Sequence, residues 1–471
     1  MRILIIGGGI CGLGTALLLA RDGHDVIVLE RDTAPTPDSP HSAWERWDRH
    51  GVAQFRQPHN FMPGLRLLLE AELPDVQEAL ARAGASRFDL VNPLPPFFTD
   101  RTPRPIDATL WTLTARRPVG EWVFATEAER APRVTIRRGA SVKEFVTGLS
   151  AIDGIPHVSG VRTSDGDELR ADLVIDAMGR QSRSQQWLVA AGARPPYEEQ
   201  EDCGFTYYTR FFTGTLPQRR GPGLTPMGSI SLLTLPGDNN TWSVTVFVST
   251  GDQPLKNLRR EDRWMNTIRA CPLHAHWLDG QPITPVLAMS GIADRYRRFV
   301  VAGKPVATGF VAVADAWACT NPSAGRGLTV GFLHALRLRD ALRTHGDDPG
   351  ALVKEFDRLT NAEVTPWYRA QIAVDRTRFA EMEAVREGRE PPPPANELAG
   401  RVRVLLSSIP ASPDLFRDYL EYTGTITPIQ KILERPEVVQ RLATAREAMK
   451  EIGPPKPPPG PNRSQLLQIV G

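Results

Sequence analysis

Cysteine is scarce: there are 4 in 471 residues, at Cys11, Cys203, Cys271 and Cys319, and no two form C-x-x-C. That excludes a disulfide-stapled secreted scaffold and a redox dithiol of the disulfide-reductase kind. The thiols read as packing residues of a reduced, cytoplasmic compartment. Histidine is also sparse, at 9, with neither H-x-x-x-H nor H-E-x-x-H, so no metal site is expected. Excess charge of one sign is missing too. The 56 Lys+Arg stand against 54 Asp+Glu, which argues against nucleic acid or a strongly anionic membrane as partner. No apolar run suits a transmembrane helix, so no integral membrane segment is expected. No internal repeat is visible.

What is present concentrates at the start. Arg2 to Ile6 is a short apolar run, followed by Gly7-Gly8-Gly9-Ile10-Cys11-Gly12, a helical pattern, and Asp25 to Leu29 ending in Glu30. This reads as strand, glycine turn, helix, strand, acid. Gly7, Gly9 and Gly12 fit G-x-G-x-x-G, the fingerprint of a dinucleotide pyrophosphate site. Gly7 permits the tight turn, Gly9 removes a side chain where pyrophosphate touches backbone, and Gly12 lets helix and sheet approach. The helix N-terminus offers free N–H groups to phosphate, and Glu30 is placed to accept from a ribose. A secretory apolar region is argued against by the glycines and by the acid-terminated second strand.

At this length two intimately connected domains are expected. Residues 32 to 60 read as a long loop, and such loops are usually functional. Residues 61 to 84 and Thr114 to Ala131 read as helices; Val134 to Arg138, Ser141 to Val146, His157 to Thr163 and Leu173 to Ile175 read as strands. Residues 203 to 250 change texture. Aromatic and β-branched runs at Phe205 to Phe212, Ser229 to Leu235 and Thr241 to Val248 predict antiparallel strands of an inserted sheet. Phe310 to Val313 predicts another buried strand, with a helix from about Gly327 to Thr344. The last third reads as mostly helical, broken at Pro391 to Pro394, and the Pro-rich tail after Gly453 as extended or disordered.

Three further clusters narrow the dinucleotide. Asp172 to Arg180 is a buried strand ending in Asp176-Ala177-Met178-Gly179-Arg180. Gly309 to Ala316 delivers Asp315 to a strand's C-terminal end, where open α/β sheets bind ligands and the carboxylate can accept from a polyol hydroxyl. Asn321-Pro322-Ser323-Ala324-Gly325-Arg326-Gly327-Leu328 is a glycine-bearing loop entering a second helix.

In this order the motifs resemble the FAD-dependent monooxygenases of the aromatic-hydroxylase fold, and more narrowly the actinobacterial branch that includes polyether epoxidases, over roughly residues 1 to 345. The resemblance implies an α/β fold: a Rossmann-like FAD-binding domain with an inserted antiparallel β-sheet substrate domain and a helical C-terminal region. Its bounds would be 1–90, 112–185 and 286–345 for the FAD-binding domain and 91–111 with 186–285 for the substrate domain. The helical region would span 346–452 and the Pro-rich tail 453–471. Gly7, Gly9, Gly12, Glu30 and Arg31 would hold the ADP half of FAD, and Asp315 the ribityl chain. Pro322, Gly325, Gly327 and Leu328 would pass the isoalloxazine. Arg117 matches an arginine that supports FAD, the Gln54 to His59 segment a loop beside the flavin, and Arg56 in that loop calls for an anionic partner. Asp176 and Gly179 complete the cofactor set. Two departures stand out: Ala314 replaces a glycine before Asp315, and Asp176-Ala177 replaces Asp-Gly.

The implied function is insertion of one oxygen atom from O2, by epoxidation or hydroxylation through a flavin C4a-hydroperoxide, into a hydrophobic or aromatic small molecule of secondary metabolism. NADPH or NADH would donate electrons by docking on the FAD domain, there being no second nucleotide fingerprint, or a separate reductase would. No catalytic residue is obligatory. His59, Tyr208 and Arg210 are candidates, with the face of the 205–212 strand that meets the flavin left open. Arg295, Arg297 and Arg298 read as solvated strand-end charge, with NADPH phosphate as the alternative. A reductase of the geranylgeranyl type shares Asp176 to Arg180 and the Asn321-Pro322 loop and stays open. A flavin-dependent halogenase fits less well, because no lysine precedes Lys143 and W-x-W-x-I-P is missing.

Overall fold

A parallel strand covered by helices on both faces is apolar throughout, and β1 (Arg2–Ile6) buries every residue after Arg2. It is the middle strand of the nucleotide sheet in a computed structural model that describes residues 1–453 and 458–471. The chain continues through α1 (Ile10–Arg21), β2 (Asp25–Glu30), α2 (Arg117–Arg130), β3 (Val134–Arg138) and β4 (Leu173–Asp176). It crosses into β5 (Phe205–Thr213), β6 (Thr241–Ser249) and α3 (Glu261–Arg269), and returns with β7 (Phe310–Ala312) and α4 (Gly327–His345). Helices α5 (Thr365–Glu387), α6 (Pro413–Thr423) and α7 (Arg463–Val470) follow.

Five parallel strands lie in the order β7-β4-β1-β2-β3. The winding reverses between β1 and β4, so the crevice beyond their carboxyl ends is where this fold class binds ligands. The glycine turn after β1 and Asp176 at the end of β4 flank that crevice.

The inserted antiparallel sheet is built on β5, which pairs with β6, Gln281–Pro282 and Leu287–Met289; β6 pairs in turn with Ile230–Pro236. Strand alternation gives β5 two fates. Tyr208 and Phe212 enter an apolar cluster with Trp242, Val244 and Trp264, under α3. Tyr207, Thr209 and Phe211 face the nucleotide domain, touching Asn321, Gln57 and Trp44 in turn. A buried pair, Arg116 with Asp238, ties the two domains. Helix α5 spans both. Arg378 donates to the carbonyls of Gly228 (2.7 Å) and Ile230 (2.6 Å), Glu383 accepts from Ser249 (2.6 Å), and Arg386 donates to Gly251 (3.1 Å).

Several expectations change. The helix over 61–84 is two helices, Pro63–Glu72 and Pro74–Arg82, because Pro74 has no N–H to continue the first. The helix expected from Thr114 starts at Arg117, since Trp111–Arg116 is a strand paired on both sides. The 32–60 loop contains a helix, Pro40–Arg46, capped by Ser39. The tail is not extended throughout: α7 carries a capping box between Asn462 and Gln465, buries Leu466 and Val470, and is pinned by Arg463 to Asp252. Pro454, Pro455 and Pro457 lie outside the described residues. Among the described residues, no helix is long and apolar enough to cross a membrane.

Candidate active site

The glycine turn separates what the protein needs from what a ligand needs. Gly7 has φ +111°, and a Cβ there would lie 2.5 Å from the carbonyl oxygen of Ala177. A Cβ on Gly12 would lie 2.1 Å from the carbonyl oxygen of Gly7. Both are glycine because helix, strand and turn touch. Gly9 is different: its Cβ would meet nothing nearer than Glu121 Oε1 at 3.9 Å. The backbone is bare there with no protein atom to require it, at the N-terminus of α1, where unpaired N–H groups point outward. A pyrophosphate fits that cradle.

Glu30 is buried. Its Oε2 accepts from Gly8 N–H at 2.9 Å and from Arg49 at 2.7 Å, and its Oε1 from Asp32 N–H at 2.9 Å. A carboxylate has about four acceptor positions, so a ribose hydroxyl still has room. Arg49 was not foreseen from sequence. It is 2% exposed, bonds Asp32 and the Gly8 carbonyl, and its Nη1 has no hydrogen-bond partner. Glu121 Oε2, 3.6 Å away, also has none. Orphaned buried polar atoms beside a glycine turn are what a phosphate or ribose would satisfy. Arg117 pairs with Glu121 at 2.6 Å. Arg31 is exposed and reaches only the His50 carbonyl, at 3.5 Å.

Asp315 lies deep in the same cleft. Burial raises its pKa, with Arg117 and Arg180 opposing. Burial and Asp315 push the Cys11 thiol up to about 12, so it is a neutral neighbour and not a nucleophile. Ala314 has φ +52°, the left-handed region glycine favours, so alanine before Asp315 stands in a strained backbone. Asp176 turns inward: Oδ1 accepts from Met178 N–H at 2.9 Å and Oδ2 from Ser182, so it builds the turn that presents Gly179 beside Asp315.

At the far end, Pro322–Ala324 is a single 3-10 turn closed by Gly325 at φ +68°. A Cβ on Gly325 would meet only Met62 and Asn60 at 3.8 and 4.0 Å, and one on Gly327 nothing within 4 Å. That open backbone is where a planar ring fits. Leu328 follows as a buried residue of α4. His59 Nδ1 donates to the Gln57 carbonyl at 3.0 Å, leaving Nε2 as an acceptor. Burial and Arg117 hold its pKa down to about 3, so it is neutral.

Other candidates sit elsewhere. Arg56 makes no ion pair among the described residues; it donates to the carbonyls of Trp44 and Trp47 and stacks on the Trp44 ring, with Glu45 and Asp48 in its neighbourhood. Arg210 points away from the cleft to Glu261 (2.8 Å) and the Thr284 carbonyl (2.9 Å), and Tyr208 shares that face. Strand parity therefore moves the pocket reading to Tyr207, Thr209 and Phe211. Of the arginines expected as solvated strand-end charge, Arg297 is instead buried against Glu198 and Arg295 donates to Arg180 O, whereas Arg298 ends its strand with its side chain 37% exposed and pairs with Asp357.

Residues 2–92 match the family of FAD dependent oxidoreductases. Protein Rv3254 of Mycobacterium tuberculosis is 26% identical over 376 residues, 77% of each chain. Chloroplastic zeaxanthin epoxidase of Prunus armeniaca is 34% identical over 94 residues, 20% of this chain and 12% of that one. Among solved structures, PqsL of Pseudomonas aeruginosa, a probable FAD-dependent monooxygenase, superposes with a TM-score of 0.60 at 16% identity, over 81% of this chain and 99% of its own. Anhydrotetracycline hydroxylase OxyS of Streptomyces rimosus gives 0.55 at 17% identity, over 90% and 76%. The Diels-Alderase PyrE3 of pyrroindomycin biosynthesis gives 0.60 at 16% identity, over 90% and 80%.

Proposed function

We propose that this chain, an FAD-dependent oxidoreductase on the fold of the FAD-dependent monooxygenases, inserts one oxygen atom from O2 into a hydrophobic or aromatic small molecule. The observation that carries the reading is the bare Gly9 backbone, continuous in chemistry with Asp315 and the open Gly325–Gly327 turn. Together they give a phosphate cradle, a polyol acceptor and a flat ring seat. FAD, when bound, supplies electron acceptance from a nicotinamide donor or a partner reductase, and activation of O2. The protein's own work is then binding, orientation and exclusion of water. The α1 N-terminus and Arg49 would hold the phosphates, Glu30 the ribose, and Asp315 the ribityl hydroxyls. Tyr207, Thr209 and Phe211 wall the ring side of the inserted sheet. Neutral His59 offers Nε2 as an acceptor to a substrate hydroxyl or flavin N–H.

A fold shared with a Diels-Alderase does not select the reaction, so the test addresses chemistry. Purified protein is loaded with FAD and reduced anaerobically by NADPH or NADH. It is then mixed with 18O2 and candidate alkenes or arenes. Labelled oxygen in the product is expected. Reduced flavin consumed by the alkene without O2 would mark a saturating reductase instead. Asp315→Ala should lose FAD or turnover; unchanged affinity and turnover would remove Asp315 from the site.

A further inference from the structure

Asn321 bonds in three directions through its backbone N–H and both side-chain polar atoms. Its backbone N–H donates to Asp294 Oδ1 at 2.7 Å, its Nδ2 donates to Asp375 Oδ1 at 3.0 Å, and its Oδ1 accepts from the Tyr207 hydroxyl. Asp375 also accepts from Ser323 Oγ at 2.6 Å and from Gln371 Nε2 at 2.7 Å. Of these six residues, all but Ser323 (Asn321, Asp294, Asp375, Tyr207 and Gln371) are at most 5% exposed. Three separate elements thus converge on one short turn: α5 through Asp375 and Gln371, the strand Ala293–Arg298 through Asp294, and β5 through Tyr207.

Burying two carboxylates is costly, and apolar packing of similar volume holds a fold as well or better. A turn of three residues has no ladder of its own to fix it. We infer that Asp375 is a positioning residue for the Asn321–Gly325 turn, holding that backbone at one distance from the inserted sheet so that a bound flavin ring meets a fixed wall. This rests on the flavin reading above. Charge is part of the device. The partners of Asp375 among Asn321, Ser323 and Gln371 are all donors, and Arg326 lies near; they favour the ionised form, while burial pushes its pKa up to about 6. Asp294, facing Asn321, Asp375, Glu201 and Arg376, is raised to about 7 by burial. Tyr207, Tyr368, Cys203 and Cys319 complete the surroundings and stay neutral, each raised by burial. Protonating Asp375 removes an acceptor from three donors, so the clasp is tight above about pH 6 and loosens below it.

The test uses Asp375→Asn and the milder Ser323→Ala. Asp357→Asn is the control; Asp357 is a half-buried carboxylate with a raised pKa that faces Arg298 instead. Hydrogen exchange in the full-length protein without added FAD reads the turn directly. The amides of Asn321, Ser323, Ala324 and Gly325 should exchange about tenfold faster in Asp375→Asn and about threefold faster in Ser323→Ala, a factor of ten being about 1.4 kcal/mol. The glycine turn at 7–12 and the control should not change. In FAD-loaded protein, the visible absorbance of wild type should show a step near the Asp375 value, and Asp375→Asn should lose that step while keeping any step that belongs to Asp294 near 7. Unchanged exchange in both variants overturns the clasp, whatever the flavin does. Faster exchange with an unresponsive flavin spectrum overturns the positioning role and places the fault in the flavin reading.

Discussion

The two ends of the cleft are built on opposite plans. The glycine turn is made of backbone: β1, turn, α1 and β2 are contiguous, and the atoms that demand glycine are carbonyl oxygens, of Gly7 within the turn and of Ala177 just past the adjoining strand β4. The Pro322 turn is assembled from afar, by side chains up to 114 residues away in sequence. Backbone hydrogen bonds and close packing fix the first end; buried polar side chains fix the second. The first is held chiefly by backbone contacts, whereas the second, on the inference above, answers to protonation.

Substitutions break or sharpen this contrast. The largest effect belongs to the local end. Gly12→Ala puts a methyl 2.1 Å from the Gly7 oxygen and should cost about 3 kcal/mol or more, read by denaturant unfolding of the protein without FAD. Gly9→Ala clashes with nothing, so stability should change by less than about 1 kcal/mol while FAD affinity falls at least about tenfold. Equal effects of both variants on stability would mean that Gly9, too, serves only the fold. At the distant end, Asp294→Asn should change the pH dependence of the melting temperature. An acid whose pKa is raised from 3.8 to about 7 on folding contributes stability that is complete below the lower value and lost as pH rises through the upper. The wild type should therefore lose ground relative to the variant between those limits. A constant gap between the two curves would mean that Asp294 does not titrate there.

Smaller still, Tyr207→Phe leaves Asn321 Oδ1 without its donor, about 1 kcal/mol, and should shift the visible spectrum of bound FAD. Tyr208→Phe, one residue along, should leave that spectrum alone; the reverse pattern would invert the strand parity. Least of all, Ala314→Gly should stay within about 0.5 kcal/mol of wild type, because relief of the left-handed backbone offsets the lost methyl. Ala335→Gly, within α4, should lose about 1 kcal/mol or more.

The same contrast governs what the sequence makes legible. Gly7, Gly9, Gly12 and Glu30 announce themselves because their spacing is their geometry. The parallel sheet, the inserted aromatic sheet and the helical last third are likewise written as periodicities. Arg49 is not: nothing in Trp47-Asp48-Arg49 says that this arginine, and not Arg31 or Arg56, folds back onto the glycine turn. Nor does Phe205 to Phe212 say which parity faces the cleft, since both faces are buried and apolar alternation is lost. Asp375 sits in a helix full of charges and is distinguished only by its partners. The helix in the tail was readable: Asn462 and Gln465 stand at capping-box spacing ahead of Leu466, Leu467, Ile469 and Val470.

Helix α5 is 23 residues long, about 35 Å at 1.5 Å per residue. Its first half grips the Pro322 turn through Gln371 and Asp375; its second half is fastened to the inserted sheet through Arg378, Glu383 and Arg386. One unbroken helix thus ties the inserted sheet to the backbone at Asn321, and neither end can be displaced from the other without breaking one of these two sets of hydrogen bonds.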